Sequence, residues 1–271
     1  MQFLSEDLQG ILDGPDLFDE VAGLDGEIFR ELESRRTFRF EAGGRAWFAK
    51  VHYGVGWAEI VKNLLQFRLP VLGARNEWLA LGRLAELGIP GPTPVAYASR
   101  GWNPACRQSC IVTSALEDTV SLEDLCANGK PDFSIKRKLI RELASISRTM
   151  HQGGINHRDF YICHFLLDRE TLDQASPAVY LIDLHRAQIR SRTPRRWLVK
   201  DLGGLFFSAF DAGIDRRDLC RFIKWYSGKP LRVALDEDRA FWMDVLTRAE
   251  RLYLQNNPAL PRWVRALRDN G

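Results

Sequence analysis

Four residues of the chain, Lys50, Glu77, Asp159 and Asp183, are of the types that phosphoryl transfer asks of a protein. That reaction needs a cation on the donor phosphates, a carboxylate on Mg²⁺ and a carboxylate that orients the acceptor hydroxyl. Lys50 closes the run AWFAK, and Glu77 stands early in ARNEWLALGRL. Asp159 lies in INHRDFYICHFLL, residues 155–167, and Asp183 ends the apolar run VYLID, 24 residues further on (183 − 159). Lys50 is the candidate phosphate cation, with Glu77 as its partner. Asp159 is the candidate base and Asp183 the candidate metal ligand. Singly, each also reads as a solvated charge; what raises the signal is that all four stand in the required order.

The elements that must hold these residues are legible from periodicity. From residue 27 to 53, GEIFRELE, the alternating TFRFE and RAWFAKVHY, with the turn Ala42-Gly43-Gly44, predict a three-stranded antiparallel meander. WAEIVKNLLQFRL, residues 57–69, predicts an amphipathic helix packed on this half, with a membrane surface as the alternative for its apolar face. ARNEWLALGRLAEL predicts a helix that stops at Gly88, with Trp78, Leu81 and Leu84 fixing Glu77 against the sheet. SCIVTSAL reads as a buried strand leading out of the half, and Ser121-x-x-Asp124 opens the next helix. A long helix follows over FSIKRKLIRELASISRTMHQGG, then the HRD stretch, two short apolar runs and at least two further helices.

This order predicts an α+β, two-lobed protein-kinase-like fold: a β-rich N-terminal lobe over 1–115 and a mainly helical C-terminal lobe over 116–271. His157-Arg158-Asp159 is then the catalytic-loop tripeptide, placed where that fold puts it, between a long helix and a hairpin. Two parts depart from the protein-kinase pattern. No GxGxxG joins the first strands; the expected turn is SRRT, in which Arg35 and Arg36 either take over phosphate binding or form an exposed basic turn. Five residues after Asp159, where an Asn would hold a second metal ion, stands His164. Imidazole suits Mg²⁺ poorly, so His164 either borders the cofactor with a softer ion such as Mn²⁺ or hydrogen-bonds within the loop.

Composition narrows the alternatives. With 45% hydrophobic and 27% charged residues the chain reads as globular, and no apolar run approaches the roughly 20 residues of a membrane span. The N-terminus lacks the pattern of a secretory signal. Five scattered cysteines predict reduced thiols in a cytoplasmic protein. His157, Cys163, His164, Asp183 and His185 match no zinc spacing, and no G-x-S-x-G elbow supports a serine hydrolase. RAQIRSRTPRRWLVK holds Arg186, Arg190, Arg192, Arg195, Arg196 and Lys200 without an acid. A solvated face is the plain explanation; the forked guanidinium also suits phosphates and carboxylates.

The longer motifs FRELESRRTFRFE, KNLLQFRLPVLGARNEW, INHRDFYICHFLL and LIDLHRAQIRSRTPRRWLVKDL resemble the lipopolysaccharide core heptose(I) kinase family (RfaP/WaaP) from about residue 10 to about residue 235. The resemblance implies a kinase-like enzyme that transfers the γ-phosphate of ATP, with Mg²⁺, to a heptose hydroxyl of the inner core at the cytoplasmic face of the inner membrane. Carried onto matching positions, it makes Asp159 the base, Asp183 the Mg²⁺ ligand and Lys50 with Glu77 the phosphate clamp. His164 then belongs to the family's own stretch, HRDxYICHFLL, in which Phe160 fills the variable position. Arg186, Arg190, Arg192, Arg195 and Arg196 become candidates for the carboxylates and phosphates of a lipid A-core acceptor. The implied partners are that acceptor, the inner-membrane surface and acyl carrier protein, with no nucleic acid. The rivals are a related kinase acting on heptose II, Kdo or protein tyrosine, and a kinase-shaped binding module without activity.

Overall fold

The computed structural model describes residues 1–65, 70–129 and 131–269. They divide into two compact units. The first comprises Met1–Ala85, Gly91–Leu116 and Asp183–Arg186.

This first unit begins with β1 (Gln2–Leu4), α1 (Leu17–Gly23), β2 (Glu27–Leu32), β3 (Arg35–Ala42) and β4 (Arg45–His52). It continues with α2 (Gly56–Leu65), α3 (Arg75–Glu86), β5 (Pro94–Arg100) and β6 (Gln108–Ser114). The expected meander of β2, β3 and β4 is half of a six-stranded sheet, ordered β1-β5-β6-β4-β3-β2 and antiparallel throughout. Alternation sorts its two faces. Phe38, Phe40, Trp47, Ala49 and Val51 enter a buried core with Leu8, Phe18 and Val21 from the N-terminal segment and α1. The opposite face carries Lys50, which pairs across the sheet with Thr37 and Ile111.

The turn between β2 and β3 is Glu33-Ser34, not SRRT; Arg35 and Arg36 already belong to β3. Cross-strand pairing with His52 and Val51 draws them into the ladder, where adjacent residues point to opposite faces. In α2 only Ile60 is buried, while Trp57, Val61, Leu64 and Leu65 are exposed, so the apolar stripe expected to pack on this half is uncovered. The end of that predicted helix, with Arg68, lies outside the described residues. α3 packs as expected: Trp78 stacks on Tyr97 at 5.2 Å, Leu81 and Leu84 are buried, and Gly88 turns the chain at φ +68°.

The second unit comprises Glu86–Pro90, Glu117–Ile182 and Ala187–Gly271. The segment 86–90 joins it because the Leu181 amide donates to the Pro90 carbonyl. Its elements open with β7 (Thr119–Ser121), α4 (Leu122–Ala127), α5 (Phe133–Gln152) and β8 (Ile155–Asn156). β9 (Phe165–Asp168), β10 (Val179–Leu181) and β11 (Gln188–Ile189) follow. The chain closes with α6 (Arg195–Ala209), α7 (Arg216–Ser227), α8 (Leu231–Glu237), α9 (Arg239–Tyr253) and α10 (Arg262–Asp269). Ser121 caps α4 and Asp132 caps α5, each accepting a hydrogen bond from a first-turn amide. β9 pairs with β7 and β10, and β8 with β11, which brackets the HRD stretch between two small antiparallel ladders. A helical unit and a mainly antiparallel sheet unit make the expected α+β composition.

Candidate active site

In the first unit, β4 and α3 bring Lys50 and Glu77 together. Lys50 Nζ donates to Glu77 Oε1 at 2.6 Å, and the glutamate is 3% exposed. A buried carboxylate is tolerable only when paired, and its other oxygen, Oε2, has no partner among the described residues. Asp183 Oδ1 lies 3.5 Å from the same ammonium. Burial pulls the Lys50 pKa down, but the Glu77 and Asp183 carboxylates outweigh it, and the net shift is upward. The lysine is therefore a fixed positive charge.

Asp183 adopts φ +61°, a left-handed conformation rare for a residue with a side chain. Such strain is found where a side chain must be aimed. His185 Nδ1 donates to its Oδ1 at 2.7 Å. Among the described residues no three His, Cys, Asp or Glu cluster as a metal cage. A hard carboxylate beside a lysine that could hold a phosphate suits Mg²⁺, an ion bound through one or two carboxylates together with substrate phosphates.

Arg35 stands on the Lys50 face, near enough to Lys50 to oppose its charge electrostatically. Arg36 points the other way. Its Nη1 donates to the Ala22 carbonyl, and its guanidinium sits 4.3 Å over the Phe38 ring. The two arginines expected to share a phosphate are thus split between the faces of the sheet, and Arg36 is committed to holding α1. His52, also on the Lys50 face and 5% exposed, is pushed down to about 3 by burial and by neighbouring Arg35 and Lys50, and so is neutral.

In the second unit, α5 ends at Gly153, and Gly154 turns the chain at φ +83°. A Cβ at Gly154 would lie 1.8 Å from the Arg190 carbonyl oxygen, so only glycine fits. Beyond β8, Asp201 of α6 holds the loop from below. Fully buried, it accepts the His157 amide at 2.7 Å and the Arg158 amide at 2.9 Å, with His151 Nε2 3.4 Å away. Arg158 takes φ +79°, and His157 Nε2 donates to the Ile182 carbonyl at 2.9 Å. These bonds define the backbone on which Asp159 stands.

His164 Nδ1 lies 2.7 Å from the Asp159 carbonyl oxygen. A carbonyl only accepts, so Nδ1 carries the proton and the ring clamps the loop across five residues. The imidazole also stacks on His157, with ring centroids 5.7 Å apart. Phe160, at the variable position, is buried against Phe165.

The arginines of the run have different partners. Arg186 ends the short turn after Asp183 in the first unit. In the second, Arg190 donates to the side chains of Asn156 and Gln188, tying β8 to β11. Arg192 is exposed, Arg195 pairs with Asp244 at 2.6 Å, and Arg196 lies over Trp197. Asp201 was not among the residues expected at the site. The signal available was a lone acid at the head of the apolar stretch LGGLFFSAF, where burial obliges it to have partners. The five cysteines are free thiols.

A family model described as the lipopolysaccharide kinase (Kdo/WaaP) family matches residues 19–226. The lipopolysaccharide core heptose(I) kinase WaaP of Escherichia coli (strain K12) is 47% identical over 253 residues, covering 92% of this chain and 96% of that protein. The protein of the same name from Pseudomonas aeruginosa is 46% identical over 256 residues, covering 92% and 95%. Among solved structures, WaaP in complex with acyl carrier protein superposes with a TM-score of 0.80 at 41% identity, over 93% of this chain and 99% of that one. The α+β fold is therefore kinase-like. With the family model spanning residues 19–226 and these relatives spanning nearly the whole length, the chain belongs to the lipopolysaccharide kinase (Kdo/WaaP) family.

Proposed function

We propose that this kinase uses ATP and Mg²⁺ to phosphorylate a heptose hydroxyl of the lipopolysaccharide inner core. The observation that carries the proposal is the Lys50–Glu77 ion pair with Asp183 beside it, in a chain whose relatives are named heptose(I) kinases. Lys50 binds donor phosphate oxygens, and Glu77 sets its position. Mg²⁺ on Asp183 would neutralise charge on the β- and γ-phosphates. Asp159 accepts a hydrogen bond from the heptose hydroxyl, orients it and takes its proton. The new O–P bond forms as the bond from the γ-phosphorus to the β–γ bridging oxygen breaks, and ADP leaves. Of the expected pair, Arg35 assists at the phosphates, a reading supported by its position on the Lys50 face of the sheet.

The test is transfer of labelled γ-phosphate to dephosphorylated inner core, with the product mapped by mass spectrometry. Asp159→Ala is expected to lower the rate by at least about a thousandfold. A rate close to that of the unaltered protein would overturn the assignment, and phosphate on Kdo or on the second heptose would move it to another acceptor.

Two partners complete the reading. The uncovered stripe of Trp57, Val61, Leu64 and Leu65 on α2 supports peripheral attachment to the cytoplasmic face of the inner membrane, where a lipid-linked acceptor would be met. A solved relative is a complex with acyl carrier protein, which supports the same partner here. In the second unit, an apolar cavity of about 90 Å³ lined by Leu139, Leu143, Ile162, Leu205, Phe206 and Phe222 has the chemistry to take the first few methylenes of an acyl chain that such a partner presents.

A further inference from the structure

Trp197, in the first turn of α6, is ringed by cations. The Lys200 ammonium lies 4.4 Å from its ring centroid, and the guanidinium carbons of Arg196, Arg158 and Arg190 lie at 5.4, 5.6 and 5.6 Å. Arg190 is occupied by Asn156 and Gln188. A further cation, Arg248 of α9, is close enough that burial and then Arg248, Arg158 and Arg196 together depress the Lys200 pKa. Arg196 and Lys200 stand four residues apart on one helix, a like-charge spacing that weakens it.

Arg196, Lys200 and Arg248 crowd donors into the cluster. Among the described residues none of Arg196, Lys200 and Arg248 forms an ion pair. Among the described residues the buried Trp197 Nε1 and Arg248 Nε have no hydrogen-bond partner. Neighbouring Arg195 finds a carboxylate, Asp244 on α9, whereas Asp201, the acid that partly offsets the repulsion on Lys200, is buried and already accepts the His157 and Arg158 amides. An aromatic face relieves like-charge repulsion only in part. What such an arrangement lacks is an oxyanion, which guanidinium forks and an ammonium bind through charge-assisted hydrogen bonds.

We infer that Arg158, Arg196, Lys200 and Arg248 around Trp197 form a binding site for a phosphate or carboxylate group of the acceptor. The identity of that occupant rests on the reading of the chain as a kinase of an anionic core oligosaccharide. The site is coupled to the base through the backbone. Arg158 directly precedes Asp159 and its amide is held by Asp201, so an anion on its guanidinium steadies the segment that carries the base. The acceptor thereby helps to order the loop that receives it.

The experiment titrates inorganic phosphate calorimetrically into the full chain, with ADP present to fill the nucleotide site. Arg196→Gln/Lys200→Gln is expected to weaken phosphate binding by at least about tenfold. Lys200→Arg, which keeps the charge, retains binding and shows that the site tolerates substitution. In transfer assays the double variant raises KM for the core acceptor about tenfold, with KM for ATP moved by less than about twofold, and phosphate competes with the acceptor rather than with ATP. Undiminished phosphate binding in the double variant overturns the site. Lost phosphate binding with an unmoved acceptor KM overturns the acceptor as occupant. Should the unaltered protein transfer nothing to inner core, the heptose-kinase reading fails, while calorimetry still decides whether the anion site exists.

Discussion

His164 occupies the position from which a protein kinase would hold a second metal ion, and here its Nδ1–H is given to the carbonyl of Asp159. That bond places the imidazole in the loop's framework. An asparagine amide can donate to the same carbonyl, though from a shorter side chain and without the stack on His157. His164→Asn is therefore expected to retain at least about a tenth of the transfer rate, and its stability is expected to fall by about 1 kcal/mol, the worth of one net hydrogen bond. Steady-state kinetics and denaturant unfolding measure the two. Near-complete loss of rate with stability intact would mean that the ring touches the reacting groups. Asp201 shows the same division of labour at greater depth: fully buried, it touches the backbone of His157 and Arg158 and shapes the path that presents Asp159.

Among the elements, α2 departs most from what packing alone would favour. A helix on a globular surface normally turns its apolar stripe inward. α2 buries Ile60 and leaves Trp57, Val61, Leu64 and Leu65 outward, interspersed with Glu59, Lys62 and Asn63. An indole and two leucines at helical spacing are suited to the boundary between headgroups and acyl chains. The full chain is expected to co-sediment with vesicles containing anionic lipid, and Trp57→Asp/Leu65→Asp to reduce the bound fraction by about tenfold or more. Because both side chains are exposed, the far-ultraviolet dichroism should not change. Binding that survives both substitutions would assign attachment to another surface.

At the scale of the whole molecule, each compact unit takes a segment from the other's stretch of sequence. Residues 183–186 belong with the sheet unit, and 86–90 with the helical unit. The metal-ligand candidate Asp183 is thereby placed within the unit that carries Lys50 and Glu77, although 106 residues separate it from Glu77 (183 − 77). The partner proposal also belongs at this scale. Gel filtration of the full chain with acyl carrier protein is expected to give a complex when the carrier bears a long acyl chain and markedly less when it bears none. Leu143→Glu, which puts a charge among the apolar cavity lining, should weaken the complex by about a hundredfold. Equal binding of acylated and bare carrier would exclude the cavity as the chain's receptor.

The sequence by itself determined the order of the candidate site residues and the elements that bear them. Lys50 at the end of an alternating strand, Glu77 on an amphipathic helix, Asp159 after a long helix and Asp183 after a short apolar run were all legible. Periodicity and glycine stops are local properties of the chain. Tertiary structure decided which face and which partner each side chain received. Arg35 and Arg36 are neighbours in sequence, yet strand register sends one toward Lys50 and the other into Ala22 and Phe38. The arginines after Asp183 look uniform as a string, but pairing, burial and a single tryptophan sort them into hairpin ties, an ion pair and a cation cluster. Asp201 carried almost no local signal, because its role consists of two amides that lie 43 and 44 residues upstream. One-residue differences in register reverse a face, and burial makes a lone charge seek whatever partners the fold brings near. Both effects depend on long-range packing, which no local pattern records.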